Sequence, residues 1–271
     1  MERFKEIEHS ITKKFKKTIW KRFINAIDKY KLINAGDKIA VCISGGKDSM
    51  LLAKCMQLLK AHWNIDFEVE FICMDPGYRT ENRKLIESNA KEMNISIKFF
   101  ESPIFQIVEN IDQTPCYLCA RMRRGYLYNY AQSLGCNKIA LGHHFNDAIE
   151  TILLSMFYGA EYKTMMPKLK STNHKGMELI RPLYLVREDD IKHWSKYNDL
   201  RFLQCACKLT EKLETGEMNS KRKEIKDLIC ELKKTNPAID INIFNSIHKV
   251  NLETVIGYVK NGEKKMFFDE Y

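Results

Sequence analysis

Apolar residues recur every four positions near the start of the chain, at Ile11, Phe15, Ile19, Phe23 and Ile27. This spacing places the apolar side chains on one stripe of a helix and predicts an amphipathic helix. Basic residues surround the stripe, at Lys13, Lys14, Lys16, Lys17, Lys21 and Arg22. The pattern ends at residues 35–37, where Ala-Gly-Asp favours a turn.

From residue 38 onwards, short apolar segments alternate with longer segments of helical periodicity. Four segments predict strands because they are short, apolar and rich in β-branched residues: 39–43, 67–74, 95–100 and 138–141. Four others predict helices: 50–59, 79–93, 119–134 and 147–157. The alternation predicts an α/β fold in which a parallel sheet has helices on both faces. After an apolar segment at 179–183, further helices are predicted at 188–197, 220–234 and 242–250.

Composition supports a folded chain that has a polyanionic partner. The 271 residues are 45% hydrophobic, and no segment approaches the roughly 18 apolar residues that cross a bilayer. We therefore expect a soluble, cytoplasmic protein with no membrane partner. Lys plus Arg exceed Asp plus Glu by 44 to 35, for a net charge of +9, so nucleic acid is the first candidate partner. The basic N-terminal helix is compatible with RNA contact and with a solvated face.

Nine cysteines without a secretion signal favour reduced thiols, metal ligands or sulfur chemistry over a disulfide framework. Cys116 and Cys119 form a C-x-x-C motif at a predicted helix start, and Cys205 and Cys207 form a C-x-C motif downstream. Three cysteine ligands and one open iron suit an iron–sulfur cluster, while structural zinc and a redox pair are the alternatives. The other five are expected to be small buried residues: Cys42, Cys55, Cys73, Cys136 and Cys230.

A polar, glycine-rich segment joins the first predicted strand to the next helix, with the sequence Ser44-Gly45-Gly46-Lys47-Asp48-Ser49. Glycines permit a tight turn against an anion, and backbone N–H groups at a helix start point at it. The spacing differs from the Walker pattern. The segment resembles the pyrophosphatase loop of the ATP pyrophosphatases (PP-loop), which implies that it binds ATP phosphates, with Lys47 on the pyrophosphate and Asp48 on Mg²⁺.

The stretch 141–147, Leu-Gly-His-His-Phe-Asn-Asp, continues through Glu150-Thr151, residues 156–159 and residues 165–169. Together with the PP-loop and the C-x-x-C motif, it resembles the tRNA 2-thiocytidine synthetases, which act on position 32 of the anticodon loop. The resemblance implies an adenine nucleotide alpha hydrolase-like fold. It also implies that ATP adenylylates the C2 oxygen of cytidine, and that sulfur held on a [4Fe-4S] cluster then displaces AMP.

The same resemblance assigns candidate residues. Lys47, Asp48, Asp147, Cys116 and Cys119 are the expected catalytic residues. The expected nucleotide contacts are Ser44, Gly45, Gly46, Lys47, Asp48, Ser49, Asp75, Gly142 and His143. His144 is an alternative to His143, and Asp75 also fits a plain Asp-Pro-Gly turn. Cys116 and Cys119 are expected cluster ligands, with Cys207 or Cys205 as the third.

The resemblance has two departures. The family commonly has two adjacent aspartates where this chain has Asn146-Asp147, and often a second C-x-x-C where this chain has C-x-C. The expected partners are tRNA, a sulfur donor (a cysteine desulfurase or sulfide) and a second copy of the chain. We expect three regions: a basic helical segment 1–36, a PP-loop domain 37–207 and a helical extension 208–271. The alternatives are a uridine thiolase of the same superfamily and an amide or lysidine-type synthetase.

Overall fold

The computed structural model describes residues 2–109, 115–203 and 221–270. Its α-helices are α1 Arg3–His9, α2 Lys21–Tyr30, α3 Lys47–His62, α4 Thr80–Glu92, α5 Ile104–Glu109, α6 Pro115–Ser133, α7 Phe145–Gly159, α8 Glu188–Tyr197, α9 Lys221–Thr235 and α10 Ile239–Ser246. Its strands are β1 Lys38–Ile43, β2 Glu68–Asp75, β3 Lys98–Glu101, β4 Lys138–Ala140, β5 Lys168–Lys170, β6 Glu178–Ile180, β7 Gly257–Lys260 and β8 Glu263–Met266.

The central sheet has the strand order β3-β2-β1-β4-β6-β5. The first five of these strands are parallel neighbours, which confirms the predicted α/β fold. One edge departs from the parallel arrangement, because β5 is antiparallel to β6. A short connection of seven residues joins β5 to β6, and only antiparallel strands can be joined so directly.

Helices cover both faces of this sheet, and successive side chains of β1 point alternately into the two cores between the sheet and the helices. Val41 and Ile43 belong to a large core that includes residues of α3, α4 and α8, such as Leu51 and Ile86. Ala40 and Cys42 belong to a second core that includes Tyr128 and Ala131 of α6. Polar residues that follow β1, β2 and β4 therefore meet at the carboxyl edge, where ligands of open α/β sheets bind.

The N-terminal helix packs its apolar stripe into the large core. Ile7, Ile11, Ile19 and Phe23 are fully buried there. Between α1 and α2 the helix forms two π-helical segments, Ser10–Lys14 and Lys16–Trp20. In an α-helix a four-residue step turns about 40° beyond a full circle, so a stripe with period four would wind around the helix. The wider π turns offset that drift and keep the stripe against the core.

The chain forms two compact units, and the division falls within α7. The first comprises Met1–Ala148 and Met166–Asn219, which includes the central sheet. The second comprises Ile149–Met165 and Ser220–Tyr271. It has α9, α10 and the antiparallel hairpin β7–β8, which the sequence analysis did not predict although its turn is Asn261-Gly262, a strong hairpin signal. No helix in the described ranges is long and apolar enough to span a membrane.

Candidate functional site

The glycine-rich loop occupies the turn from β1 to α3. Gly45 has φ +83°, a conformation that disfavours any residue with a Cβ. A Cβ on Gly45 would lie 2.6 Å from Cγ1 of Ile86 on α4. Gly46 precedes α3 in an extended conformation, and no side chain caps the first turn of α3. The N–H groups of that turn are therefore available to an anion.

Two serines hold the loop in shape. The Ser49 hydroxyl donates to the carbonyl of Gly46 at 2.9 Å, and Ser49 Oγ accepts from the backbone N–H of Ser44 at 3.2 Å. Ser44 Oγ also donates to Ser49 Oγ at 3.2 Å. On the outer side, the N–H of Leu203 donates to the carbonyl of Gly45 at 3.1 Å. The turn is thus fixed by its own polar groups and by one bond from Leu203.

Lys47 is the first residue of α3, and its ammonium group lies between two carboxylates. Nζ is 3.0 Å from Oδ2 of Asp48 and 3.4 Å from Oε1 of Glu188. Glu188 is the first residue of α8 and is 8% exposed, and its second oxygen is 3.0 Å from Nζ of Lys192. Glu188 and Asp48 therefore both hold the Lys47 cation at the loop.

The loop after β4 lies directly against the start of α3. A Cβ on Gly142 would lie 3.0 Å from the carbonyl carbon of Asp48 and 3.0 Å from the nitrogen of Ser49, so only glycine fits without displacement. His144 follows and is 6% exposed. Its Nδ1 is 3.2 Å from Oδ2 of Asp147, and its Nε2 is 3.8 Å from Oδ1 of Asp48. The imidazole thus contacts Asp147 and lies near Asp48, the two aspartates that the sequence analysis selected.

The aspartates fit a divalent cation. Asp48 Oδ1 is buried and has no hydrogen-bond partner among the residues of the described ranges. Asp147 Oδ2 accepts from the backbone N–H of His144 at 2.9 Å, which fixes that carboxylate at the start of α7. Carboxylate oxygens are the protein ligands that Mg²⁺ prefers, and a buried oxygen without a partner is costly unless a ligand satisfies it. The donor set at Asp48 and Asp147 therefore suits Mg²⁺.

His143 faces a different partner from His144. The guanidinium of Arg181, just after β6, donates through Nε to Nδ1 of His143 at 3.3 Å, and it also donates to the carbonyl of Met166. Burial lowers the pKa of Arg181 to about 10, so this arginine keeps its charge at neutral pH. A buried cation at the carboxyl edge of the sheet adds to the positive potential of the site.

Asn146 has a structural role. Its Oδ1 accepts from the backbone N–H of Glu188 at 3.0 Å, which ties the start of α7 to the start of α8. The N–H of Phe145 donates to the carbonyl of Val186 at 2.9 Å and supports the same junction. Asn146 therefore helps to hold Glu188 in its position beside Lys47.

Asp75, at the end of β2, forms the Asp-Pro-Gly turn that was its alternative interpretation. Its Oδ1 accepts from the N–H of Gly77 at 2.9 Å and of Tyr78 at 2.7 Å, while Oδ2 pairs with Arg83 at 2.7 Å. Burial opposes the charge of Asp75, but these backbone bonds and Arg83 hold its pKa below the usual value. The nucleotide contact predicted for Asp75 stays a prediction.

The motif cysteines are described only in part. Cys116 and Cys119 are the second and fifth residues of α6, and positions three apart in a helix are neighbours one turn apart. Met122, one turn further on, packs against the small core formed by Met74, near the end of β2, and Ile104, so this part of α6 lies at the carboxyl edge. Cys205 and Cys207 lie outside the described residues.

The remaining cysteines follow the sequence prediction with one exception. Cys42, Cys55, Cys73 and Cys136 are buried, and burial raises the pKa of each thiol, to about 12 for Cys73 and about 11 for Cys136. They are inert core residues at neutral pH. Cys230 on α9 is exposed, so the prediction that it is buried is wrong. It lies next to the buried Ile229 on an amphipathic helix, and adjacent helical positions point in different directions.

A glycine-rich turn with the geometry to receive an anion, a lysine and two aspartates at the carboxyl edge of a mostly parallel sheet are typical of an ATP-binding PP-loop protein. A family model described as a PP-loop domain matches residues 8–227. Curated relatives named tRNA-cytidine(32) 2-sulfurtransferase include one from Anaeromyxobacter sp., 34% identical over 89% of this chain and 78% of the relative. Another, from Geotalea uraniireducens, is 35% identical over 83% of this chain and 88% of the relative. The chain belongs to the tRNA-cytidine(32) 2-sulfurtransferase family of PP-loop proteins.

A solved structure has the same fold. It is the U34-tRNA thiolase NcsA from Methanococcus maripaludis with its [4Fe-4S] cluster, which is 20% identical to this chain. The match has a TM-score of 0.66 and covers 89% of this chain and 80% of the other.

Sequence reasoning missed Glu188 and the pairing of Arg181 with His143. The run Glu188-Asp189-Asp190 is an ordinary acidic first turn of a helix, so its sequence gave no reason to select Glu188. The stretch around Arg181 was noted only as part of the family resemblance. Folding brings both residues to the site from positions far along the chain.

Proposed function

We propose that this protein is an ATP-dependent tRNA sulfurtransferase that converts cytidine 32 to 2-thiocytidine. The observation that supports this most strongly is the meeting of Lys47, Asp48 and Asp147 around the glycine-rich turn. The chain is also about a third identical, over most of its length, to relatives named for this reaction. ATP activates the C2 oxygen as an adenylate, and sulfur then replaces that oxygen.

The chemistry balances without net oxidation or reduction. The C2 oxygen attacks the α-phosphorus of ATP, the bond to the β-phosphate breaks, and pyrophosphate leaves. A sulfide-level sulfur then forms a bond to C2, and the C–O bond breaks so that AMP leaves with the original oxygen. Activation is needed because an unmodified pyrimidine carbonyl oxygen is a poor leaving group.

The residues of the turn would bind and orient the phosphates. The N–H groups at the start of α3 and the glycine turn favour an anion, and Ser44 and Ser49 keep the turn rigid. Lys47 would neutralise the charge that develops on pyrophosphate as it departs. Glu188 keeps the Lys47 side chain close to the turn before ATP binds.

Asp48 and Asp147 would hold Mg²⁺. The buried Oδ1 of Asp48 and the fixed carboxylate of Asp147 provide oxygen ligands of the right chemistry. A bound Mg²⁺ would supply charge neutralisation for the phosphates and would orient them. His144 would help to position Asp147, since its Nδ1 is 3.2 Å from Oδ2 of that carboxylate.

Cys116 and Cys119 would bind a [4Fe-4S] cluster, with Cys207 or Cys205 as the third ligand. Two cysteines one turn apart at the start of a helix are a suitable donor pair for a metal centre. When bound, such a cluster would supply an iron with an open position that holds the sulfur. The identity of the sulfur donor and a homodimeric assembly remain predictions.

The decisive experiment uses anaerobically purified protein with ATP, Mg²⁺, sulfide and tRNA from a thiolation-deficient strain. We expect 2-thiocytidine at position 32 in nucleoside mass spectrometry, together with release of pyrophosphate. Unmodified tRNA, despite an intact cluster, would contradict the proposal.

The same assay separates the alternatives. Thiolated uridine in place of thiolated cytidine would identify a uridine thiolase, the activity in the name of the structural neighbour. A product that gains an amine in place of sulfur would identify an amide or lysidine-type synthetase. Such an enzyme would also tolerate replacement of both Cys116 and Cys119 by serine.

A further inference from the structure

The outward side of the N-terminal helix is a straight row of exposed residues. The buried stripe has period four, so the positions two residues further on lie on the opposite side of the same helix. Those positions are His9, Lys13, Lys17, Lys21 and Asn25, and all five are exposed. We refer to Lys13, Lys17 and Lys21 as the lysine ridge.

The π-helical segments make this ridge straight. The backbone N–H of Phe15 donates to the carbonyl of Ser10 at 2.8 Å, and that of Trp20 to Phe15 at 3.3 Å, both five residues back. In a regular α-helix a row with period four would wind by about 160° over four steps. Here the positions of the row all stay exposed on one side of the helix.

Contacts of the neighbouring row support this assignment. Ser10, Lys14 and Arg22 also follow a period of four, one position before the buried stripe, and all three face α8. Ser10 Oγ accepts from Nε1 of Trp194 at 3.1 Å, Lys14 lies 3.6 Å over the ring of Tyr197, and Arg22 pairs with Asp190 at 2.9 Å. The ridge, one row further round, points away from the core.

The ridge charges are not neutralised within the described part of the chain. Between Glu8 and Asp28 the sequence has no acidic residue. None of Lys13, Lys17 and Lys21 takes part in an ion pair with another described residue. Three like charges in a row repel one another, so an extended anion that contacts all three would be bound favourably.

We propose that the lysine ridge binds consecutive phosphates of the tRNA backbone. This inference rests on the proposed function, which makes tRNA the polyanion that the protein must hold. Phosphate contacts fix the position of an RNA without reading its sequence, and a rigid row of lysines suits that purpose. The ridge thus anchors the tRNA in the same compact unit as the PP-loop.

An anionic membrane surface is a less suitable partner. A helix that binds a membrane inserts its apolar face among the lipids. Here the apolar face is used by the core, since Ile11, Ile19 and Phe23 have no exposed surface. The ridge can offer only charge, which suits a phosphate backbone.

The test compares two triple variants of the whole protein that have the same net charge. K13Q/K17Q/K21Q removes the ridge, and K91Q/K170Q/K175Q removes three exposed lysines elsewhere. The dissociation constant for tRNA is measured from 50 to 200 mM salt. In a plot of the logarithm of the association constant against the logarithm of the salt concentration, loss of three phosphate contacts should make the slope less steep by about 2–3, and only in the ridge variant. Over this range the affinity of the wild type and the control should fall about 20- to 40-fold more than that of the ridge variant.

Each outcome has a defined meaning. If wild-type protein binds tRNA and the ridge variant keeps the same slope, the ridge proposal is wrong and the proposed function stands. If wild-type protein does not bind tRNA at all, the proposed function fails as well. Weaker binding of the variant to phosphatidylglycerol vesicles, with unchanged binding to tRNA, would instead indicate a membrane and overturn the proposal. K13R/K17R/K21R should restore the wild-type slope, which separates charge from damage to the fold.

Discussion

The conformation of Gly45 predicts a steric and conformational penalty for Gly45→Ala. The residue has φ +83°, and a new Cβ would lie 2.6 Å from Cγ1 and 2.8 Å from Cδ1 of Ile86. Real Cβ atoms essentially never approach so closely, so either the loop or the Ile86 side chain must shift. Movement of the loop would shift the N–H groups that the proposed function assigns to ATP.

The penalty has two parts that can be separated. A left-handed backbone costs a residue with a Cβ about 1–2 kcal/mol, and overpacking against Ile86 adds about 1–3 kcal/mol. Gly36→Ala is the matched control, because Gly36 has φ +80° and a new Cβ there meets nothing within 4 Å. We expect Gly36→Ala to lose only the first part, and Gly45→Ala to lose about 2–5 kcal/mol in all.

A double-mutant cycle measured by urea unfolding isolates the contact with Ile86. Ile86→Ala removes both clashing atoms and by itself costs about 2–5 kcal/mol through the cavity it leaves. In the double variant the clash is absent, so the two losses should sum to about 1–3 kcal/mol more than the measured loss. Additive losses, or a Gly45→Ala variant as stable as Gly36→Ala, would refute the steric argument. Equilibrium binding of ATP to the same variants then reports the effect on the loop.

Three further predictions address the site and the core. Lys47→Ala should lower the rate of pyrophosphate release by about 10²-fold or more, because it removes a cation from the phosphates, and it should leave the visible absorbance of the cluster unchanged. Replacement of Cys116 and Cys119 by serine should abolish that absorbance and tRNA thiolation but retain tRNA-dependent pyrophosphate release. Lys138→Met should cost about 3–5 kcal/mol in urea unfolding, since Nζ of Lys138 is 2.6 Å from Asp37 in the core. Burial opposes the charge of Asp37, but Lys138 and two further hydrogen bonds hold the pKa of Asp37 below its ordinary value of 3.8. The ion pair therefore contributes its full stabilisation above pH 3.8, and this contribution is lost as the pH falls through the lowered pKa of the folded protein.

Each of these predictions has a control. Lys91→Ala, an exposed lysine on α4, should release pyrophosphate at the wild-type rate. Cys230→Ser, at an exposed cysteine, should keep both the absorbance and thiolation. Loss of the visible absorbance in Lys47→Ala would mean that the nucleotide site and the cluster site do not act independently. A Lys138→Met variant whose stability matches wild type at neutral pH would contradict the role of the buried ion pair.

Much of the site was predictable because it is encoded in short segments. The glycines lie in one loop and Lys47 and Asp48 begin the helix that follows it, while Gly142 and Asp147 lie in and just after one strand-to-helix connection. In a parallel sheet such connections share the carboxyl edge, so alternation of strands and helices was enough to expect them near each other. The antiparallel strand β5 escaped prediction because three residues are too few to establish a period of two.

The sequence by itself determined the α/β class, the phosphate-binding turn and the residue types that chemistry requires, because hydrophobic period and loop composition are local properties of the chain. The tertiary structure alone decided which distant groups meet. It brought Glu188 to Lys47, gave Asn146 a role at the start of α8, and placed His144 between Asp48 and Asp147. The π-helical segments, which the sequence pattern did not predict, keep the period-four row of lysines on one side of the N-terminal helix. These features depend on how separate elements pack, and packing is set by the whole core rather than by any one segment.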